Sequence, residues 1–277
     1  MQNNILVSIV IPCFNDAQYI EQAVNSALNQ SYPYKEIIVV DDGSNIETKA
    51  VLQKLLPIIT KLITQENQGQ STARNMGIRE AKGEYILVLD SDDYFEPSFC
   101  EKAVLVLKDT NIKIVACHIV RFNNEKKIDE FRHKGGDLSV LILNNQATGS
   151  VMFRKNDFIK IGGYDQLMRT GLEDWEFYIR ILQNGGLFYI IKEPLFNYRM
   201  RSDSTTSKAN LLKYELLNYI YTKHRDLNIA YFDLFVGHLL YRIEREEIEK
   251  IKNTQRLEFK IGKAILKPFR WIKSLIK

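Results

Sequence analysis

Leu6 to Pro12, LVSIVIP, is an almost unbroken apolar, β-branched run closed by proline, the pattern of a strand buried on both faces. Ala17 to Asn29 follows with Ile20, Val24, Ala27 and Leu28 at helical spacing, and Glu36 to Val40, EIIVV, predicts a second buried strand. Strand, helix and strand joined by short connections make a parallel βαβ unit. The alternation continues as helix over Glu47 to Leu56, short strand over Lys61 to Thr64 and helix over Ser71 to Ala81. A strand over Tyr85 to Leu89, a helix over Pro97 to Leu107 and a strand over Lys113 to Val120 complete the series. These repeats predict an α/β domain with a mostly parallel, doubly wound open sheet flanked by helices on both faces. Beyond Asn123 the pattern changes. NNEKKIDEFRHKGGD is polar and reads as hairpin or loop, and Gly149 to Arg154 reads as a strand. Leu172 to Gln183 reads as an amphipathic helix, and Leu195 to Met200 as extended chain. From Ser207 onward only helix is predicted, which divides the chain into a domain over 1–206 and a helical C-terminal region over 207–277.

Ligands of open parallel sheets gather beyond the carboxyl ends of the strands. Three polar clusters fall there: Pro12-Cys13-Phe14-Asn15, Asp41-Asp42-Gly43-Ser44 and Asp90-Ser91-Asp92-Asp93. The last ends the buried run of YILVLDSDDY in three carboxylates. Like charges packed at a strand end repel, and burying them without partners is costly. A hard divalent cation, Mn²⁺ or Mg²⁺, is the economical counter-charge, because it prefers carboxylate oxygens and keeps coordination positions open for substrate phosphates. Helix capping near Pro97 is the plain alternative for a lone DSD. The two neighbouring clusters favour the ion.

With 277 residues, 45% hydrophobic and 26% charged, the chain has room for one large domain or a domain plus an appendage. No apolar stretch approaches the roughly 20 residues that cross a bilayer. The N-terminus MQNNILVSIVIP lacks the basic region and cleavage site of a secretory signal, so a cytoplasmic protein is expected. Cys13, Cys100 and Cys117 form no CxxC pair and read as reduced structural thiols. His118, His133, His224 and His238 show no ligand spacing, so a histidine-based metal site is not expected.

The formal net charge of +4 is unevenly distributed. Arg256 to Lys277 carries seven basic residues against Glu258, a balance of +6 that leaves −2 for the rest. On a helical projection Lys260, Lys263, Lys267, Arg270, Lys273 and Lys277 share one face. Ile261, Ile265, Trp271, Ile272, Leu275 and Ile276 fall largely on the other, and Pro268 would kink the helix. That is the pattern of a helix lying peripherally on an anionic membrane surface. Packing on the domain or on a partner subunit, as in a homo-oligomer, is the alternative. No nucleic-acid partner is expected, because the rest of the chain carries no matching basic signal.

The stretches SIVIPCFND, EIIVVDDGS, NQGQSTARNMG, GEYILVLDSDD and GLEDWEF, in this order and spacing, resemble a family 2 glycosyltransferase of the GT-A fold over roughly residues 5 to 204. The resemblance implies a nucleotide-sugar donor, with uridine the base that relatives use, and a glycan or lipid-linked acceptor. It implies that Pro12 and Phe14 wall the base, that Asp42 accepts from the base N–H, and that Gly69 and Arg74 lie beside the nucleotide. Asp90-Ser91-Asp92 corresponds to the DXD element: Asp90 near ribose and metal, Asp92 the direct metal ligand. Asp93 is expected behind them. Asp174 corresponds to the base that takes the acceptor proton, with Glu173 second, and attack from the far face inverts the anomeric configuration. Tyr198 to Ser204 resembles a loop over the diphosphate, which places Arg199 and Arg201 there. Relatives often have histidine at the position of Arg201. The QxxRW element and membrane spans of processive synthases are missing, which favours addition of a single sugar. A sugar nucleotidyltransferase is the competing enzyme class, but PCFNDAQ has no Gly-rich phosphate loop. A non-catalytic scaffold of a membrane glycan-assembly complex is the other alternative.

Overall fold

The computed structural model describes residues 4–123, 126–201 and 209–275, with helix backbone alone beyond residue 266. Two compact units are present, Met1–Leu227 and Asn228–Lys277. The boundary expected near Ser207 lies outside the described residues, and the first unit continues past it.

Four parallel strands form the first half of the sheet: β1 (Val7–Cys13), β2 (Lys35–Asp42), β3 (Lys61–Gln65) and β4 (Tyr85–Val88), side by side in the order β3-β2-β1-β4. Between them run α1 (Ile20–Leu28), α2 (Ile46–Leu55) and α3 (Gln70–Glu80), as the periodicity requires. Every residue of β1 is buried because both sheet faces are covered. Val7, Ile9 and Ile11 join Ile20, Val24, Leu52 and Phe99 in one core layer. Val10 faces α3, where a Cβ on Gly77 would lie 2.5 Å from Val10 Cγ1 and 2.9 Å from Val40 Cγ2. Only glycine lets that helix approach the sheet so closely.

The second half departs from the expected run of parallel neighbours. After a two-residue β5 (Tyr94–Phe95) and α4 (Phe99–Leu107) comes β6 (Ile112–Asn123), which does not pair with β4. A short antiparallel strand, β8 (Met152–Arg154), separates them. β6 pairs parallel with β9 (Leu187–Arg199), whose far edge takes β5 antiparallel, and β7 (Lys126–Phe131) closes a hairpin on β6. The extended segment expected from Leu195 is thus the end of a 13-residue strand. Its alternating exposed and buried start, Leu187 to Ile190, hid it from a search for continuous apolar runs.

Helices α5 (Leu138–Leu141), α6 (Lys155–Ile161) and α7 (Glu173–Leu182) cover this half. Phe177 of α7 stacks on Tyr164 at 3.9 Å between ring centroids and meets Phe153 of β8 at 5.1 Å. The first unit also includes α8 (Lys213–Lys223), held to α7 by charge. Glu176, fully buried, accepts from Arg180 Nη2 at 2.6 Å and Lys223 Nζ at 2.8 Å, and lies 3.1 Å from His224 Nε2. Asp165 Oδ2 accepts from Tyr219 OH at 2.8 Å and Lys223 Nζ at 2.5 Å. The short α9 (Arg225–Ala230) spans the join between the units.

The second unit contains α10 (Phe232–Gln255) and α11 (Leu257–Leu275). No residue of α10 is fully buried. Among the described residues no helix is long and apolar enough to cross a membrane.

Burial alone would raise the pKa of Glu176, but hydrogen bonds from His224, Arg180 and Lys223, with the charge of Arg180, lower it from 4.5 to about 2. A depressed folded-state pKa contributes stability above the unfolded value, and that contribution is lost as pH falls from about 4.5 toward about 2. Glu176→Gln is expected to cost about 3 kcal/mol at neutral pH, because it removes the fully buried carboxylate that Arg180, Lys223 and His224 converge on. The gap from the parent should shrink as pH drops through that window. Urea unfolding midpoints of both proteins as a function of pH measure it.

Candidate active site

The loops at the ends of β1 and β2 are tied to each other. Asn15, at φ 59°, accepts from the Asn45 N–H through Oδ1 at 2.7 Å, and its own N–H donates to Ser44 Oγ at 3.1 Å. Asp41 Oδ1 accepts from the Ser44 N–H at 2.9 Å, a turn-forming bond. Pro12 is buried within β1, in register with Val40, whereas Phe14 is 47% exposed. Of the two expected base-wall residues, only Phe14 presents a free face.

Asp42 has a different occupation from the expected base contact. Its Oδ1 accepts from Gln65 Nε2 at 2.7 Å and the Gln68 N–H at 2.8 Å. Its Oδ2 accepts from the Gly69 N–H at 2.9 Å and Asn67 Nδ2 at 3.2 Å. Four donors fill a carboxylate's lone-pair directions, so Asp42 shapes the loop that starts α3. Gly69 begins that helix at φ 92°, where a Cβ would also lie 3.3 Å from Arg169 Nε.

The carboxylates after β4 are handed to separate partners. Asp90 Oδ1 accepts from Arg74 Nη2 at 2.6 Å and Gln70 Nε2 at 2.9 Å, and the Asp90 N–H donates to Ser150 Oγ at 3.2 Å. Ser91 donates its hydroxyl to Asp16 Oδ2 at 2.5 Å. Asp92 Oδ2 accepts from Arg201 Nη1 at 3.1 Å, and the same nitrogen donates to Asp16 Oδ1 at 2.7 Å. Burial, with the charges of Asp16 and Asp90, pushes the Asp92 carboxyl up to about 6. Asp93 is buried behind it, raised by burial and by Asp92 and Asp90, with Oδ1 accepting from the Arg199 N–H at 2.7 Å and Oδ2 unpartnered. Arg199 is clamped between the rings of Tyr19 and Phe122, at 4.5 and 4.6 Å from their centroids, and its Nε donates to the Asp92 carbonyl at 2.8 Å. These bonds commit Arg199 to holding the DSD loop. Ser202, Asp203 and Ser204 lie outside the described residues.

Arg74 joins this cluster to α7. Its side chain is 1% exposed, with Nη2 on Asp90 and Nη1 on Glu173 Oε1 at 2.7 Å. Burial works against the guanidinium charge, but Asp90 and Glu173 outweigh it and raise the Arg74 pKa. Asn75 locks the next layer by bonding both the carbonyl and the N–H of Tyr164, each at 2.8 Å, which sets that ring 5.3 Å from the guanidinium carbon. The family resemblance places Arg74 beside the nucleotide; the structure instead buries its guanidinium between Asp90 and Glu173, and Glu173 is consumed in the same pair. Asp174 takes no part in the Arg74 pair. Its Oδ2 accepts from Asn145 Nδ2 at 3.1 Å and its Oδ1 from the Trp175 N–H at 2.7 Å. Burial, followed by the neighbouring Glu173 charge, pushes its carboxyl up to about 7. Helix α7 enters through Gly171 and a left-handed Leu172, φ 61°, a costly conformation for a bulky residue.

Residues 8–175 match the family described as Glycosyl transferase family 2. This chain belongs to that family. A putative teichuronic acid biosynthesis glycosyltransferase, TuaG of Bacillus subtilis, is 30% identical over 209 residues, covering 73% of this chain and 82% of TuaG. Among solved structures, TarS 1–349 of S. aureus in complex with UDP-GlcNAc superposes with a TM-score of 0.70 at 18% identity, over 92% of this chain and 77% of that one. The mannosyltransferase PcManGT of Pyrobaculum calidifontis, in complex with GDP-Man and Mn²⁺, gives 0.60 at 14% identity over 95% and 84%. The fold of this glycosyltransferase is GT-A, a mixed sheet flanked by helices.

Whether the residues present fit the divalent ion that the motif resemblance implies turns on charge. In this glycosyltransferase Asp16, after β1, and Asp90 and Asp92, after the adjacent β4, crowd together enough to raise Asp92, and their hard oxygens suit Mg²⁺ or Mn²⁺. Among the described residues no three His, Cys, Asp or Glu side chains group to hold an ion by themselves. Such a set fits an ion held by one or two carboxylates and completed by substrate phosphates. Asp16 and Asn145 escaped the sequence reading. Asp16 directly follows the first polar cluster, a signal that could have found it. Asn145 has no local signal, because its role exists only once α7 packs beside it.

Arg74→Gln is expected to destabilise the glycosyltransferase by about 3–5 kcal/mol, leaving the buried Glu173 and the part-buried Asp90 without their shared cation. Arg74→Lys should recover only part, since one ammonium cannot reproduce the two-pronged fork. Chemical denaturation of the three proteins checks both.

Proposed function

We propose that this glycosyltransferase moves a single sugar, with inversion, from a UDP-linked donor to a hydroxyl of a glycan or lipid-linked acceptor during assembly of surface polysaccharide. The observation that carries the reading is Asp174: a carboxylate on the first turn of α7, kept out of the Arg74 pair that consumes Glu173, and raised to about 7 by burial and Glu173. A base poised near the working pH is what proton removal from a hydroxyl needs. TarS bound to UDP-GlcNAc and PcManGT bound to GDP-Man and Mn²⁺ support a nucleotide-sugar donor and a divalent ion. TuaG supports a cell-surface polysaccharide as the product.

In this reading Phe14 stacks against the base, and Asp42 builds the Asn67–Gly69 loop beside it. Asp92, with Asp90, would hold Mn²⁺ or Mg²⁺, which when bound acts as a Lewis acid on the departing phosphate charge. Asp174 accepts the acceptor proton as the new bond from oxygen to the anomeric carbon forms and the bond to the diphosphate breaks. Attack from the side opposite the leaving group inverts that carbon. Asn145 donates to the Asp174 carboxylate and thereby favours its charged, proton-accepting form.

Asp174→Asn should lower kcat by about 10²- to 10⁴-fold with donor binding retained. In the parent, activity should rise with pH through about 7. Asn145→Ala should move that limb to higher pH, because it removes a bond that stabilises the carboxylate. Initial rates against pH with a panel of nucleotide sugars and Mn²⁺ test all three. No turnover of any donor, or an unaffected Asp174→Asn, would sink the enzyme reading.

The C-terminal helix supports peripheral attachment to the cytoplasmic face of an anionic membrane. Ile261 and Ile265 of α11 are 50% and 60% exposed, beside Lys260 and Lys263. The side chains of Lys267, Pro268, Arg270, Trp271, Ile272, Lys273, Leu275, Ile276 and Lys277 lie outside the described residues. The full chain should float with vesicles containing phosphatidylglycerol but not with neutral ones, and deletion of 256–277 should abolish flotation. Flotation unchanged by that deletion would place the attachment elsewhere.

A further inference from the structure

The DSD loop already carries a cation of the protein's own. Arg201 Nη1 donates to Asp16 Oδ1 at 2.7 Å and Asp92 Oδ2 at 3.1 Å, with the Arg201, Asp16 and Asp92 side chains 20%, 12% and 23% exposed. The two carboxylates come from different elements, Asp16 from the β1–α1 connection and Asp92 from the β4–β5 connection. The Arg201 guanidinium carbon is also 5.0 Å from the centroid of the Tyr19 ring. Arg74 and Gln70 take Asp90, the third carboxylate nearby, so the negative charge left at the strand end falls on Asp16 and Asp92. A guanidinium and a divalent ion would neutralise the same oxygens, and each charge repels the other at such range.

Resting on the metal reading of the proposed function, we propose that Arg201 is a resident counter-cation that competes with the divalent ion for Asp92, so that metal binds weakly until a diphosphate arrives. The diphosphate offers Arg201 another anion, frees Asp92 for the metal, and adds its own oxygens to the ion. Metal and nucleotide then bind with positive coupling, and by linkage each strengthens the other by the same factor.

The test is Mn²⁺ affinity by electron paramagnetic resonance, with and without UDP, for the parent, Arg201→Ala, Arg201→Lys and Asp92→Asn. Without nucleotide, Arg201→Ala should bind Mn²⁺ about tenfold more tightly than the parent, the effect of removing one partly exposed competing charge. Arg201→Lys should stay near the parent. UDP should strengthen Mn²⁺ binding more in the parent than in Arg201→Ala. If Arg201→Ala fails to fold, Arg201→Gln, which keeps part of the stem over Tyr19, repeats the measurement. Equal or weaker Mn²⁺ binding by the neutral variant overturns the counter-cation. Persistence of Mn²⁺ binding in Asp92→Asn overturns the metal reading instead, and no Mn²⁺ binding by any protein with UDP present overturns both.

Discussion

The guanidinium of Arg74 holds together two carboxylates from distant parts of the chain, Asp90 sixteen residues on and Glu173 ninety-nine residues on. Asp90 ends the parallel half of the sheet, and Glu173 begins the helix that covers the mixed half. Three charged groups removed from water tolerate little displacement, because any gap leaves a charge uncompensated. The walls of this triad are correspondingly firm: Asn75 fixes Tyr164 at the guanidinium, and Tyr164 stacks on Phe177 of α7. The position of Asp174 relative to the DSD loop follows from that pairing, since the two carboxylate clusters share one buried cation.

Charge is divided by the same logic at the open end of the site. Arg74 neutralises Asp90 and Glu173, Arg201 serves Asp16 and Asp92, and Arg199 braces the backbone behind them between two aromatic rings. Asp174 has only neutral donors, Asn145 Nδ2 and the Trp175 N–H, in the bonds to its carboxylate. Its burial next to Glu173 therefore raises its proton affinity, whereas Asp90 and Glu173 share the Arg74 guanidinium. One helix turn thus holds two adjacent acids in opposite environments.

The parallel half of the fold was legible from its amino acids because strands buried on both faces are continuous apolar runs, and their crossover helices keep a 3.6-residue period. The second half was not. β5 is two residues long, β8 is three, and the exposed edge positions of β9 break its apolar run, so their pairing is set by neighbours rather than by pattern. β8 enters between β4 and β6 because both lack a partner on that side. The helix after Ser207 likewise belongs with the first unit through Glu176 and Asp165, a pairing of distant charges that no local signal announces.

For the site the same division holds. Hydrophobic runs ending in acids located the strand-end carboxylates, and the order of motifs led to the family, since those are local features. Only the tertiary structure decided which acid has which partner. Asp42 spends its oxygens on the loop before α3, Arg74 and Glu173 neutralise each other in the interior, Arg201 reaches Asp16 and Asp92, and Asp174 takes the neutral donors Asn145 and the Trp175 N–H. The reason is physical: a charged side chain takes its role from the burial and counter-charge around it, and both are contributed by residues far away in the chain.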